Sequence, residues 1–160
     1  IALKSKNTPS AIALSRQKVP YINPDNSKEN KCEKGAYTVN ITSHENNVTL
    51  VASGTEVELA LKVQDKLKDN NIHSKVVSMP CMELFDKQPE DYRKDILEEN
   101  SLIVTIEAGS VMSWQKYIKN KGLNLGIDEF GESAPYKEIY KHFNLSEEDI
   151  TNFIQKKIRE

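Results

Sequence analysis

A chain of 160 residues is the size of one ordinary domain with some extra sequence, and 38% hydrophobic residues are enough to pack one core. The 22 lysines and arginines against 24 acidic residues leave a formal net charge of −2, so charge makes no case for nucleic acid or an anionic membrane as the main partner. No apolar run approaches the roughly 20 residues needed to span a bilayer, and the apolar stretch of the opening IALKSKNTPS is too short for a signal peptide.

In chain order, Ser10 to Leu14 reads as a short buried strand running into a polar turn at Ser15 to Gln17. A strand with no earlier element to pair with suggests a chain that begins inside a larger protein. The stretch VPYINPDNSKENKCEKG that follows is rich in Pro, Asn, Lys and Glu and has linker composition. From Gly35 the pattern changes. Tyr37 to Ile41 alternates as a half-buried edge strand does, and Val48 to Ala52 is a compact β-rich run ending at Ser53-Gly54. Val57, Ala60, Leu61, Val63 and Leu67 then form a helical stripe, opened by a capping box at Thr55-x-x-Glu58.

The alternation repeats. Lys75 to Met79 is a strand closed by Pro80, and Pro89 to Leu97 a surface helix turning Tyr92, Ile96 and Leu97 inward. Leu102 to Ile106 reads as a strand buried on both faces, Val111 to Lys119 as a helix, and Leu123 to Ile127 as a short strand. Two helices finish the chain, Pro135 to Phe143 and Ser146 to Ile158. The second is capped by Ser146-x-x-Asp149 and is expected to bury Ile150, Phe153, Ile154 and Ile158. Strands alternating with helices specify a three-layer α/β/α sandwich around a mostly parallel five-stranded sheet.

The residues that could carry chemistry have bland alternatives beside them. The Ser53-Gly54-Thr55 turn joins a strand end to a helix start, where anions bind, but it carries neither a GxGxxG nor a GxxxxGK[ST] pattern, and a tight turn with a cap explains it. Glu132 and Ser133 in FGESAP are candidate binding residues, yet no His or Lys is paired with Ser133 in sequence to make it a nucleophile. Glu107 sits at a strand end, as active-site and surface carboxylates both do, and Trp114 with Tyr117 reads as packing. Lys62, Lys66 and Lys68 form a solvated helix face. Cys32 and Cys81 cannot build a disulfide framework and read as free thiols of a reducing compartment, with the cytoplasm as default. His44, His73 and His142 are scattered, without zinc-ligand spacing. No catalytic residue emerges from these side chains alone.

Three spaced segments, VTLVASGTEVELALKVQDKL, SKVVSMPCMELFDKQ and FGESAP, together with LSRQ at Leu14 to Gln17, closely resemble the C-terminal part of transketolases. Pyruvate dehydrogenase β subunits and deoxyxylulose phosphate synthase end in similar domains, but the Arg16-Gln17 pair, Asp86 to Gln88 and FGESAP look like transketolase. The resemblance implies that residues 1–17 are the last strand of a pyrimidine-binding domain, 18–34 a linker and 35–160 the C-terminal domain. It also implies that Arg16 contacts the phosphate of the sugar substrate, a task its planar donors suit. The whole enzyme would be a homodimer using thiamine diphosphate and a divalent metal (Mg or Ca) to move a two-carbon ketol unit between sugar phosphates in the pentose phosphate pathway. The GDG-type cofactor motif, the glutamate that activates the cofactor and the histidines around the reacting carbons lie in the family's preceding domains and are not in this chain. The expectation is a non-catalytic, dimer-supporting piece that binds neither cofactor nor metal by itself. Two other readings stay open: a regulatory module taking an anion or nucleotide on the helix starts after Gly54 and Gly131, and a purely structural dimerisation module.

Overall fold

The computed structural model describes residues 1–22, 29–98, 100–118 and 122–160. Its centre is strand β2 (Val48–Ala52), every residue of which is buried. β2 pairs in parallel with β3 (Ser74–Ser78) on one side and β4 (Leu102–Ile106) on the other, so that Val48 lies opposite both Ser74 and Leu102. β1 (Tyr37–Ile41) lies antiparallel beyond β3, and β5 (Leu123–Leu125) lies parallel beyond β4, giving the order β1-β3-β2-β4-β5. The mostly parallel five-stranded sheet expected from the sequence is present, and its one antiparallel member is an edge.

Strand periodicity divides the core in two. Val48, Leu50, Ala52, Val104 and Ile106 share one cluster with helices α1 (Glu56–Asp69) and α6 (Glu147–Arg159). Val51, Val77 and Ile103 belong to the opposite cluster, under α2 (Met82–Asp86), α3 (Glu90–Leu97) and α4 (Gln115–Ile118). Two buried polar side chains tie the sheet to its surroundings. Gln64 on α1 donates to the Ser74 carbonyl at 2.8 Å and accepts from Asn40 Nδ2 at 2.8 Å, tying a helix to both β3 and the edge strand. Lys75, buried in β3, reaches out of the sheet to the Asp95 carbonyl and to Glu98 Oε1 at 3.2 Å, so its charge ends on a partner.

Several expectations need correction. Ser10 to Leu14 is exposed and carries no strand pairing, because the described residues offer its backbone no neighbouring strand. Of the linker at 18–34, residues 31–34 wind into a 3-10 turn, while 23–28 lie outside the described residues. The box at Thr55 and Glu58 does not form: Thr55 is already in a helical conformation and its hydroxyl donates to Glu56 Oε1 at 2.7 Å. The second cap does form, with Ser146 Oγ accepting from the Asp149 N–H at 3.2 Å. Ile150 and Ile154 are buried as expected, but Phe153 and Ile158 are 42% and 44% exposed, since only one stripe of α6 faces the core.

The helix expected over Val111 to Lys119 begins as a 3-10 turn, Met112–Trp114, before α4; Lys119 lies outside the described residues. β5 stops at Leu125, two residues early. α2 has no counterpart in the sequence reading; Pro80 and Cys81 end one element and start the next too abruptly for a periodicity to show. The remaining helix, α5 (Tyr136–His142), lies within its expected bounds.

Gly35 joins the 3-10 turn to this sheet. Its φ of +81° is a left-handed conformation, and a Cβ there would lie 2.2 Å from Phe85 N and 2.4 Å from Cys81 O. Its carbonyl also accepts from Cys81 N at 3.1 Å. Both the conformation and the contact exclude a side chain. Gly35→Ala is therefore expected to cost about 2 kcal/mol or more, read as a lower urea midpoint; a variant as stable as the parent would show that the α2 backbone yields freely.

Candidate functional site

In an open parallel sheet, ligands settle beyond the carboxyl ends of the strands where the strand order reverses. Here β2 leads through α1 to β3 on one side, and the chain then crosses to β4 on the other, so that place is between the ends of β2 and β4. The Ser53-Gly54-Thr55 turn leaves one strand and Glu107 leaves the other.

The protein's own side chains occupy this crevice. Glu56, the first residue of α1, is buried and accepts from Thr55 Oγ1 at 2.7 Å and from the Tyr140 hydroxyl of α5. A carboxylate thus already sits at the electropositive helix start, the position an anionic ligand would take. Glu107 Oε2 accepts from Trp114 Nε1 at 3.1 Å. Burial raises the Glu107 carboxyl above its ordinary value, the indole hydrogen bond opposes this, and the charge of Glu56 adds to it. Burial, then the hydrogen bond to Glu56, pushes the Tyr140 hydroxyl up as well. Two carboxylates beside the turn are unfavourable to an anion there, which disfavours the reading of the Gly54 turn as an anion site.

The other sequence candidates do not converge there. Arg16, His44, His73 and His142 are exposed. Glu132 and Ser133 lie on an exposed loop whose Phe130 is 98% exposed, and a Cβ at Gly131 would touch nothing. Trp114 and Tyr117 pack edge to face at 6.3 Å, and Tyr117 meets Phe85 at 5.8 Å, so they are core residues as the bland alternative expected. Cys32 and Cys81 are free thiols. Among the described residues no group of His, Cys, Asp and Glu is placed to hold a metal ion, and no helix is long and apolar enough to cross a membrane.

Two polar clusters escaped the sequence reading. One is the Glu56–Tyr140 pair, whose members are 84 residues apart and are joined only by the fold. In the other, Asp86 accepts from the Tyr117 hydroxyl at 2.8 Å and from the Lys116 ammonium. Burial pushes the Asp86 carboxyl up, and its two donors more than offset this, leaving it below the usual carboxylate range. Burial and Asp86 together take the Tyr117 hydroxyl up to about 12. The signal for this cluster lay in the DKQ segment, but nothing in sequence joined it to Tyr117.

Comparison with known proteins matches this architecture. Residues 35–146 fit the family described as "Transketolase-like TK C-terminal domain". The chain is 40% identical over 161 residues to a transketolase of Aquifex aeolicus, covering 98% of this chain and 23% of that protein. It is 39% identical over 153 residues to a chloroplastic transketolase of Solanum tuberosum, covering 94% of this chain and 20% of that protein. Among solved structures, transketolase from Campylobacter jejuni superposes with a TM-score of 0.85 at 35% identity, over 98% of this chain and 23% of that one. A Pichia stipitis transketolase in complex with sedoheptulose-7-phosphate gives 0.81 at 31% identity, over 90% and 20%. The chain therefore spans between 20% and 23% of the length of these relatives.

The half-buried Glu107 carboxyl yields a pH dependence. A carboxyl whose folded pKa lies above its ordinary 4.5 keeps its proton longer in the folded state. Its contribution is fully present below 4.5 and is lost as pH rises through the folded value. Glu107→Gln keeps an acceptor for Trp114 without the charge. Thermal unfolding followed from 4.5 up to neutrality should show a flatter fall in the variant than in the parent, with the variant the more stable at neutral pH; parallel curves would remove Glu107 from the titration.

Proposed function

Because the chain belongs to the transketolase family, whose C-terminal domain it carries, we propose that it works as the C-terminal portion of an enzyme that transfers a two-carbon ketol unit from a ketose phosphate to an aldose phosphate. The observation that carries this reading is that the matched residues 35–146 begin where the α/β unit begins, at Ala36, the first buried core residue, and take in all five strands of its sheet. In this role the chain's α/β unit is structural, supporting a homodimer in the cytoplasm, and takes no part in bond making. Thiamine diphosphate and its divalent metal, when bound elsewhere in the enzyme, supply the carbanion chemistry.

Residues 1–17 belong to the preceding domain, beside which Ser10 to Leu14 takes up its strand pairing, and 18–34 are the connection. Their exposure supports this. Leu3, Ile12, Leu14 and Tyr21 are each at least 71% exposed, a run of apolar side chains that water does not favour and a further domain would cover. Arg16, exposed among them, is the residue assigned to the substrate's phosphate.

Two measurements test the assignment. This chain alone should show no ketol transfer. In the assembled enzyme, Arg16→Gln should raise KM for a ketose phosphate by roughly tenfold to a hundredfold, the equivalent of about 1.5–3 kcal/mol for a hydrogen bond to a charged group, and leave kcat/KM for an unphosphorylated ketose unchanged. Equal losses on both substrates would move Arg16 away from the phosphate.

A further inference from the structure

A cleft of about 660 Å³ opens between residues 17–19, the outer face of α1 and the corner where α5 meets α6. Lys62 and Lys66, one turn apart on α1, line it together with Lys137 and Lys141, one turn apart on α5, and Lys18 adds a fifth ammonium. Like charges one turn apart on a helix destabilise it, and here two such rows line one space. Three carboxylates share the cleft, Glu58, Glu147 and Glu148. Lys62 draws two of them, meeting Glu58 at 2.9 Å and Glu147 at 4.0 Å. The hydrogen bond to Glu58 raises the Lys62 pKa, so that ammonium stays charged. Lys18, Lys66, Lys137 and Lys141 have no ion pair among the described residues.

The remaining wall is apolar. Leu59 and Leu145 are buried at its base, and Tyr136 and Tyr140 meet edge to face at 5.8 Å beside them. Unpaired ammonium groups around an apolar and aromatic wall suit a small molecule with an anionic end and an organic body, and the volume is that of a ligand site. Gln17 and Lys18 line the cleft and Arg16 does not, so the Arg16 guanidinium is not counted among its charges.

We propose that this lysine-lined cleft binds a small phosphate ester carrying two or more negative charges. The charge belongs between the two lysine rows and the organic part against the tyrosines. The site uses flexible ammonium groups and not the start of α6, whose first turn carries Glu147, Glu148 and Asp149 and opposes an anion.

The test is calorimetric titration of this chain at low salt with ADP, ribose 5-phosphate and pyrophosphate, with adenosine and ribose as uncharged counterparts. Saturable binding of at least one phosphate compound and none of its uncharged counterpart is expected, and the preferred compound tells a nucleotide from a sugar phosphate. Lys137→Gln with Lys141→Gln should weaken that binding about tenfold. Lys156→Gln with Lys157→Gln, which removes the same charge from α6 outside the cleft, should leave it within about twofold. Absence of binding, or equal weakening in both lysine pairs, overturns the proposal. Loss in Arg16→Gln alone would also overturn it, and would assign the binding to the Arg16 site.

Discussion

A strand hydrogen-bonded on both edges and covered on both faces leaves no room for choice in its surroundings. β2 is such a strand: β3 and β4 flank it in register, α1 and α6 lie over one face, and α2, α3 and α4 over the other. Each of its residues must find an apolar neighbour or a hydrogen bond. The apolar ones do so by alternation, and Thr49 does so through a 2.6 Å bond to Ser101 Oγ. The rest of the sheet is added outward from this strand, and the antiparallel β1 is held at the edge by the Asn40–Gln64–Ser74 chain of hydrogen bonds as well as by its own ladder.

The same centre creates the crevice in which related α/β architectures hold ligands, and here it is closed from within. Glu56 takes the place of an anion at the start of α1, Tyr140 covers it, and Trp114 ties down Glu107 on the neighbouring strand. Groups that could have served a substrate are instead committed to fixing α5 and the Met112–Trp114 turn against the sheet. A unit with its switch point filled in this way is suited to be a supporting domain. The polar capacity it leaves open lies outside, in the lysine rows of α1 and α5.

The N-terminal residues have the opposite character. Leu3, Ile12, Leu14 and Tyr21 are apolar yet exposed, and Arg16 stands among them without the sheet that would orient it. A strand's hydrogen bonds are made with its neighbour, so a segment can carry a strand's composition and still have no strand geometry until that neighbour is present. The function proposed for Arg16 and the burial expected of Ser10 to Leu14 both call for a neighbouring strand that the described residues do not provide.

What the sequence determined by itself was everything carried by local periodicity and chemistry: the strands from Tyr37 to Ile106, the helix after Gly54, the Ser146 cap and the alternation that makes a parallel sheet. Its spaced motifs also carried the family resemblance. Tertiary structure decided what depends on distant partners. It turned Thr55 from a helix cap into a donor to Glu56, because Tyr140, 84 residues away, holds that carboxylate in place. It required Gly35, because the α2 backbone passes within reach of its missing Cβ. It brought the lysines of α1, read in sequence as a solvated face, opposite those of α5. Periodicity reports which side of a helix is wet; only packing decides what that wet side faces.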